Sequence, residues 1–450
     1  MLQRSVKRNF SGVFKFKSSP NSLYAEQQYL DLFLAAAIND DDMVTGISHD
    51  LNEQAASLGL QPVYSRGRRK RKDGSYLTDE EARERKYRFE RLKYYPDGQT
   101  FQDHIWKEYE IVNGELLHNG YHGYHTPTLR TRIEDIIRGA VKRGEILRLP
   151  EEKYHKHALF GITATFDFHD QDYWGLDNAD VTHTRAEGTT LAYRYGSSRM
   201  LCVGAEYCLP PIKFERRIGN VGALRNVFDD FDDFQIDLDT IILDRQFFDS
   251  YVINFLTDRV HYIITVNEAR LDRKTMDKIA TASTEHVTII EGYVIAPGTN
   301  HSAKTILIIV PAALQALGQR KRPKKYPRSF VYATNIPLKG NVTQDDIDSF
   351  GYELSRVYKL HWGIETDWSV FKSFRARTRS RKAVIRLFYF YASVLFYNSW
   401  VLTRRVHGKR CKRVLTRVAF FNFYLPVSRI EIISAIFVGK TSPDRDMPNG

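Results

Sequence analysis

Apolar residues recur at helical spacing over Tyr24–Ile38 and again over Thr128–Leu147, which predicts two amphipathic helices in a highly charged first third of the chain. From about residue 158 the period changes. Leu159–Phe168 (LFGITATFDF) is a strand-like run, and Thr189–Tyr195 and Met200–Tyr207 follow as two more. Asn220–Phe234 predicts a helix closing on an acidic cluster, Thr240–Leu243 a short β-branched strand, Phe247–Leu256 a helix, and His261–Val266 a strand. Val287–Ile295, Lys304–Val310 and Phe330–Thr334 predict further strands, and from Thr343 to about residue 405 the chain is helical. This order predicts an α/β fold: a mixed core interrupted by a β-rich insertion at about 267–330, behind a mainly helical N-terminal domain. The expected domains are 1–155, 156–405 and a basic C-terminal region over 406–450. There is no internal repeat and no low-complexity tract.

One apolar stretch, Ala383–Leu402, has about the length of a membrane span. It carries Arg386, Ser393, Asn398, Ser399 and three tyrosines, a polarity that predicts a helix buried inside a large soluble fold. The first residues, MLQRSVKRNFSGVFKFKSS, are basic without an apolar core or a cleavage site, so no secretory signal is expected.

Composition narrows the partner. The chain has 450 residues, enough for about three domains. A hydrophobic content of 42% excludes a wholly disordered chain. Three cysteines (Cys202, Cys208, Cys411), with no C-x₂-C pair, exclude a disulfide scaffold and a zinc finger and fit a reducing, cytoplasmic compartment. A net charge of +12 with 26 Tyr and 27 Phe points to nucleic acid, with an anionic membrane surface as the competitor. The run Arg66–Lys72 (RGRRKRK) fits either a solvated loop or a phosphate-contacting one. His104, His118, His122 and His125 lack a cysteine or spaced carboxylate to complete a zinc site and are expected to be surface or satisfied histidines.

Two acidic residues stand at strand ends. Asp167 lies between Phe166 and Phe168, where a carboxylate is costly unless it is paired or holds a metal; pairing with His169 is the plain alternative. Asp244 closes the TIIL strand, at the edge where sites form on α/β sheets. Capping the next helix or pairing with Arg245 would also explain it. A third carboxylate belongs to a helix. Tyr358, His361, Glu365, Trp368 and Lys372 are spaced 3, 4, 3 and 4, one stripe roughly 21 Å long. That stripe fits a working face better than a core, a solvated ion-paired face being the alternative. Carboxylates brought together repel by about 4 kcal/mol per pair at 4 Å and an effective dielectric of 20. Oxygen-only ligation suits Mg²⁺ or Mn²⁺, and two such ions can drive phosphodiester chemistry.

These blocks together resemble a DDE transposase of the insertion-sequence-four superfamily, on a ribonuclease-H-like fold. The superfamily's third block is Y-(2)-R-(3)-E-(6)-K; Tyr358, Glu365 and Lys372 fall on it in register, with His361 in the Arg position. The first block matches Asp167-Phe-His-Asp-Gln-Asp-Tyr173-Trp174-Gly175, the second Asp244-Arg245-Gln246-Phe247, and an aromatic strand ending in Thr334-Asn335 follows the insertion. The match covers about 158–405. Asp170 and Asp172 lie close enough to Asp167 to compete for the place of first ligand. The resemblance implies cut-and-paste transposition: metal-dependent cleavage at transposon ends and strand transfer into target DNA. Asp167, Asp244 and Glu365 would be catalytic and hold Mg²⁺ (or Mn²⁺). DNA contacts are expected from Tyr358, His361, Trp368, Lys372, Arg245, Arg375 and Arg377, with Trp368 or Trp362 stacking on a displaced base or else packing in the core. The expected partners are double-stranded DNA (terminal inverted repeats and target) and a second copy of the chain in a homodimer, with no membrane. A catalytically silent DNA-binding derivative of a transposase is the alternative, and a nuclease without strand transfer a third reading.

Overall fold

The computed structural model describes residues 26–38, 44–57, 95–118, 128–146, 161–178, 180–183, 189–201, 206–312, 329–338, 342–372 and 380–411, and isolated positions 13, 24 and 378. The side chains of 38, 44, 45, 268, 360–372 and 406–411 lie outside the described residues. Two compact units result: residues 1–133 with 371–450, and residues 134–370.

The first unit contains α1 (Glu26–Ile38), α2 (Val44–Ser57), α3 (Gly98–Glu108) and a hairpin of β1 (Tyr109–Val112) and β2 (Glu115–His118). The start of α4 (Leu129–Lys142) and all of α9 (Ala383–Cys411) belong with them. Asp97 caps α3 through the Thr100 amide at 2.7 Å, and the side chain of Asn52 clamps the backbone of Tyr95. The polar-interrupted apolar stretch is α9, buried along Ala383–Ser399. Phe388 and Tyr389 pack on Tyr109 (5.0 Å) and Phe33 (5.1 Å), and Phe396 also lies on Phe33 (5.7 Å). These aromatic contacts group α9 with the N-terminal helices, whereas 156–405 was expected to form one domain. Among the described residues no helix is long and apolar enough to cross a membrane. The basic run 66–72 lies outside the described residues. His118 pairs with Glu108 at 3.3 Å and His104 packs edge-on against Tyr29; His122 and His125 lie outside the described residues.

The second unit is built on a nine-stranded mixed sheet. Its strands are β3 (Thr163–Asp172), β4 (Thr182–His183), β5 (Leu191–Leu201), β6 (Ile212–Lys213), β7 (Thr240–Leu243), β8 (His261–Thr265), β9 (Thr288–Ile295), β10 (Ala303–Pro311) and β11 (Ser329–Thr334). The spatial order is β4-β5-β3-β7-β8-β11-β10-β9, with β6 on β5. β3, β7 and β8 run parallel; β5 is antiparallel to β3, and β11 to β8. The strands of the expected β-rich insertion, β9 and β10, continue the same sheet. The two strands expected at 189–195 and 200–207 are one, β5, running straight through Gly196-Ser-Ser because it pairs with β3 over all ten residues of that strand. Gly196 is required there: a Cβ would stand 2.6 Å from the Phe166 ring. A helix inside the expected insertion, α7 (Arg273–Ala280), starts on the Asp272 cap. The helical tail expected over 343–405 is two helices, α8 (Gln344–Lys372) and α9, with Ser380–Lys382 non-helical between them.

The sheet's two faces carry different helices. On one, α5 (Gly219–Asp233) meets α6 (Ser250–Thr257) through Phe228 and Phe255, and α6 packs on β8 and β10. On the other, Ile242, Ile263, Ile308, Val310 and Tyr332 form one core with Phe350, Leu354, Val357 and Tyr358 of α8. Fully burying such side chains contributes about 1.5–3 kcal/mol each. The Thr334-Asn335 pair is a structural clamp. The Asn335 amide donates to the carbonyls of Val260 (3.0 Å) and Thr257 (3.3 Å), and its oxygen accepts the Tyr262 amide (3.0 Å).

Candidate active site

The register of the parallel strands builds the site. Phe166 pairs with Leu243, and Leu243 with Ile264. One step further along all three strands stand Asp167, Asp244 and Thr265. Neighbouring strands lie about 4.8 Å apart, so the two carboxylates arise roughly 5 Å from each other. Side chains alternate faces along a strand, and Asp167 and Asp244 share the parity of Thr165 and Ile242, the α8 face. Phe166, Phe168 and Asp170 point the other way.

That second face pins the turn holding Asp244. Phe247 is buried, stacked on Phe168 at 5.3 Å and edge-on to Phe166 at 5.6 Å. The tight turn Arg245–Phe247 follows Asp244 directly, and the Asp244 side chain makes no capping bond to it. Arg245 is exposed. Asp167 Oδ1 accepts from Gln246 Nε2 at 3.1 Å and from the Phe168 amide at 2.7 Å. Asp244 Oδ1 is 3.5 Å from Thr265 Oγ1, which lies 2.8 Å from the Tyr358 hydroxyl. Gln246 and Thr265 were not expected at the site. Gln246 is the variable position of the second block, and Thr265 is simply the residue in register with Asp244.

The carboxylates near Asp167 separate by environment. Asp170 forms a two-point pair with Arg194, at 2.7 and 2.8 Å, on the opposite face. Hydrogen bonding to Asp170 raises the Arg194 pKa, and the nearby charge of Asp167 adds to the shift. Asp172 is exposed at the strand's end. In the aromatic-glycine block, Tyr173 is buried against Tyr193 (5.1 Å), and Gly175 lies so flat on it that a Cβ would sit 2.3 Å from its hydroxyl. Trp174 between them is 67% exposed.

Tyr358 is only 5% exposed, its ring 5.1 Å from that of Tyr332. Burial is the first cause that raises its pKa, followed by the charge of Asp244, with Tyr332 and Asp167 adding less. The two strand carboxylates and the helix tyrosine are thus brought together. The backbone of α8 stays helical through His361, Glu365, Trp368 and Lys372, whose side chains lie outside the described residues; Arg375 and Arg377 lie outside them altogether. Among the described residues no group of three metal-binding side chains forms, and Asp167 and Asp244 are two.

No family model matches the sequence, and no curated protein does. A solved structure does match in fold: the piggyBac transposase synaptic complex with hairpin DNA, determined by cryo-electron microscopy. It aligns with a TM-score of 0.50 at 11% identity, over 100% of this chain and 86% of that one. The chain therefore has a mixed α/β architecture similar to that of a transposase.

Proposed function

We propose that this protein is a DNA transposase that cleaves at transposon ends and joins them to target DNA, with Asp167, Asp244 and Glu365 as its catalytic carboxylates on a ribonuclease-H-like core. The observation that carries the reading is the placement of Asp167, in the middle of β3 and one step beyond its last pair with β7, level with Asp244 at the end of β7, on the face crossed by α8. A pair of carboxylates roughly 5 Å apart repels by about 3 kcal/mol at an effective dielectric of 20. Asp170, a few residues away on the other face, is instead paired with Arg194.

The path of α8 supports the third carboxylate. The helix starts fastened to the head of β9: Asp348 Oδ1 accepts the Val287 amide at 2.6 Å, and Gln344 Nε2 donates to the Val287 carbonyl at 3.2 Å. By Tyr358 it has reached Thr265 on β8. It thus crosses β10, β11 and β8 in about 15 Å of helix, which matches the interstrand spacing. Seven more residues add roughly 10 Å, two further strands, and bring the backbone of Glu365 over β7 and β3. The spacing of seven keeps residue 365 on the Tyr358 side of the helix.

Oxygen-only donors fit a hard divalent cation, Mg²⁺ or Mn²⁺. Bound there, the ion would supply charge neutralisation and Lewis-acid activation for attack on a phosphodiester. The chain's own residues fix the geometry: Gln246 and the Phe168 amide hold Asp167, and Phe247 anchors the Asp244 turn. Exposed Arg245, with His361, Lys372, Arg375 and Arg377, would contact phosphates, and Trp368 would stack on a displaced base. The net charge of +12 favours a DNA partner. The similar protein is bound to hairpin DNA in a synaptic complex; paired inverted repeats, a homodimer and a hairpin stage are the corresponding proposals here.

The test uses purified protein and the DNA flanking its own gene, with Mg²⁺ or Mn²⁺. Cuts at flanking inverted repeats and joint products are expected from the wild type and from none of Asp167→Asn, Asp244→Asn or Glu365→Gln, all of which still bind. Residual metal-dependent cleavage in one variant removes that residue from the triad. Tight end binding without cleavage by the wild type selects the catalytically silent derivative, and cleavage without joint products selects the nuclease.

A further inference from the structure

Tyr358 belongs to the stripe expected to face DNA, yet its hydroxyl points into the sheet. It lies 2.8 Å from Thr265 Oγ1, which lies 3.5 Å from Asp244 Oδ1. Chemistry fixes the direction of these contacts. A carboxylate only accepts, and each hydroxyl carries one proton. The threonine proton therefore goes to Asp244, and the tyrosine proton goes to the threonine. The threonine contact is long for a hydrogen bond, so it steers the carboxylate more than it binds it. Both partners are themselves fixed. Thr265 is on the sheet, paired with Tyr332, and the Tyr358 ring is packed on Tyr332.

We infer that Tyr358 and Thr265 are positioning residues, a strut of two hydroxyls through which α8 orients the Asp244 carboxylate for a divalent cation, and that Tyr358 does not touch DNA. This rests on the reading of Asp167 and Asp244 as metal ligands. Partners that hold a ligating carboxylate from behind are worth about 10–100-fold in metal affinity or activity. A tyrosine hydroxyl in this place also couples the seat of α8, which carries Glu365, to the strand carboxylates. A shift of the helix along its axis would break the Tyr358–Thr265 contact and free the hydroxyl that faces Asp244.

The experiment measures Mn²⁺ binding to the full-length protein without DNA, by electron paramagnetic resonance of the free ion. DNA affinity and melting temperature are measured on the same samples. The variants are Tyr358→Phe, Thr265→Val, Thr265→Ser and Asp244→Asn. Tyr358→Phe and Thr265→Val are expected to weaken Mn²⁺ binding about tenfold or more. Thr265→Ser, which keeps the hydroxyl, is expected to restore it, with DNA affinity unchanged throughout. Wild-type Mn²⁺ affinity in Tyr358→Phe and Thr265→Val overturns the strut. So does a loss of DNA affinity in Tyr358→Phe with Mn²⁺ binding intact, which makes the tyrosine a DNA contact. If Tyr358→Phe does not fold, the contrast between Val and Ser at 265 decides the matter. Unchanged Mn²⁺ binding in Asp244→Asn is a different failure, because it removes the metal site itself.

Discussion

The two faces of β3 carry carboxylates three residues apart with opposite fates. Asp170 meets the guanidinium of Arg194 in a planar two-point pair, and that guanidinium also lies over Phe168 and Phe214 at 5.6 and 5.8 Å. Asp167 stands beside a second carboxylate and is held by amides. Charge on the first face is cancelled, and the aromatic cluster around it is closed. On the second, two carboxylates stand side by side on the face that α8 crosses. The difference lies in what stands across the neighbouring strand, a guanidinium for Asp170 and a second carboxylate for Asp167, not in the acid or its position along the chain.

Stability measurements sharpen this contrast. The largest effect is expected at Phe247, which joins the two faces by pinning the Asp244 turn under Phe166 and Phe168. Phe247→Ala should cost about 3–5 kcal/mol, read in denaturant melts. A cost below 1 kcal/mol would mean that the turn is held by other contacts. Next, Asp170→Asn should cost ~2 kcal/mol, between the values for exposed and fully buried pairs, because it strands Arg194. Adding Arg194→Leu should recover most of that loss in a double-mutant cycle; simple additivity of the two would show that they do not act as a pair.

A pH-dependent effect lies on α8 itself. Burial pushes the Glu353 carboxyl up to about 7 from 4.5, opposed by the charge of Arg356. A raised carboxyl pKa means that the stability present below about pH 4.5 is lost as pH rises to about 7. Glu353→Gln lacks that loss. Its melting temperature should exceed that of the wild type by a margin that widens between pH 4.5 and pH 7 and then stays level. A margin independent of pH would place Glu353 in water.

Much of this was legible in the sequence, for physical reasons. Thr240–Leu243 was found to the residue because a four-residue β-branched run between an acidic cluster and Asp-Arg has no other use. The register of Asp167 with Asp244 was not legible, since pairing between parallel strands is set by packing far from either residue. The single sweep of β5 was hidden because Gly196-Ser-Ser resembles a turn; only the Phe166 ring explains the glycine. The hairpin Tyr109–His118 was missed although Asn113-Gly114 marks it. The stripe spacing was read as a working face, whereas Tyr358 is buried in the core and the other four side chains lie outside the described residues. It could not show that Tyr358 is buried, because the same period serves a core and a working surface.

The most direct test of the central claim sets the two faces of one strand against each other. Metal-dependent cleavage of the flanking DNA would be measured for Asp167→Asn and Asp170→Asn, each confirmed folded and DNA-bound. The account predicts that Asp167→Asn loses cleavage by a thousandfold or more (~4 kcal/mol of barrier) while Asp170→Asn stays within about tenfold (~1.4 kcal/mol). The reverse pattern, or equal losses, would contradict it by placing the first catalytic carboxylate on the other face.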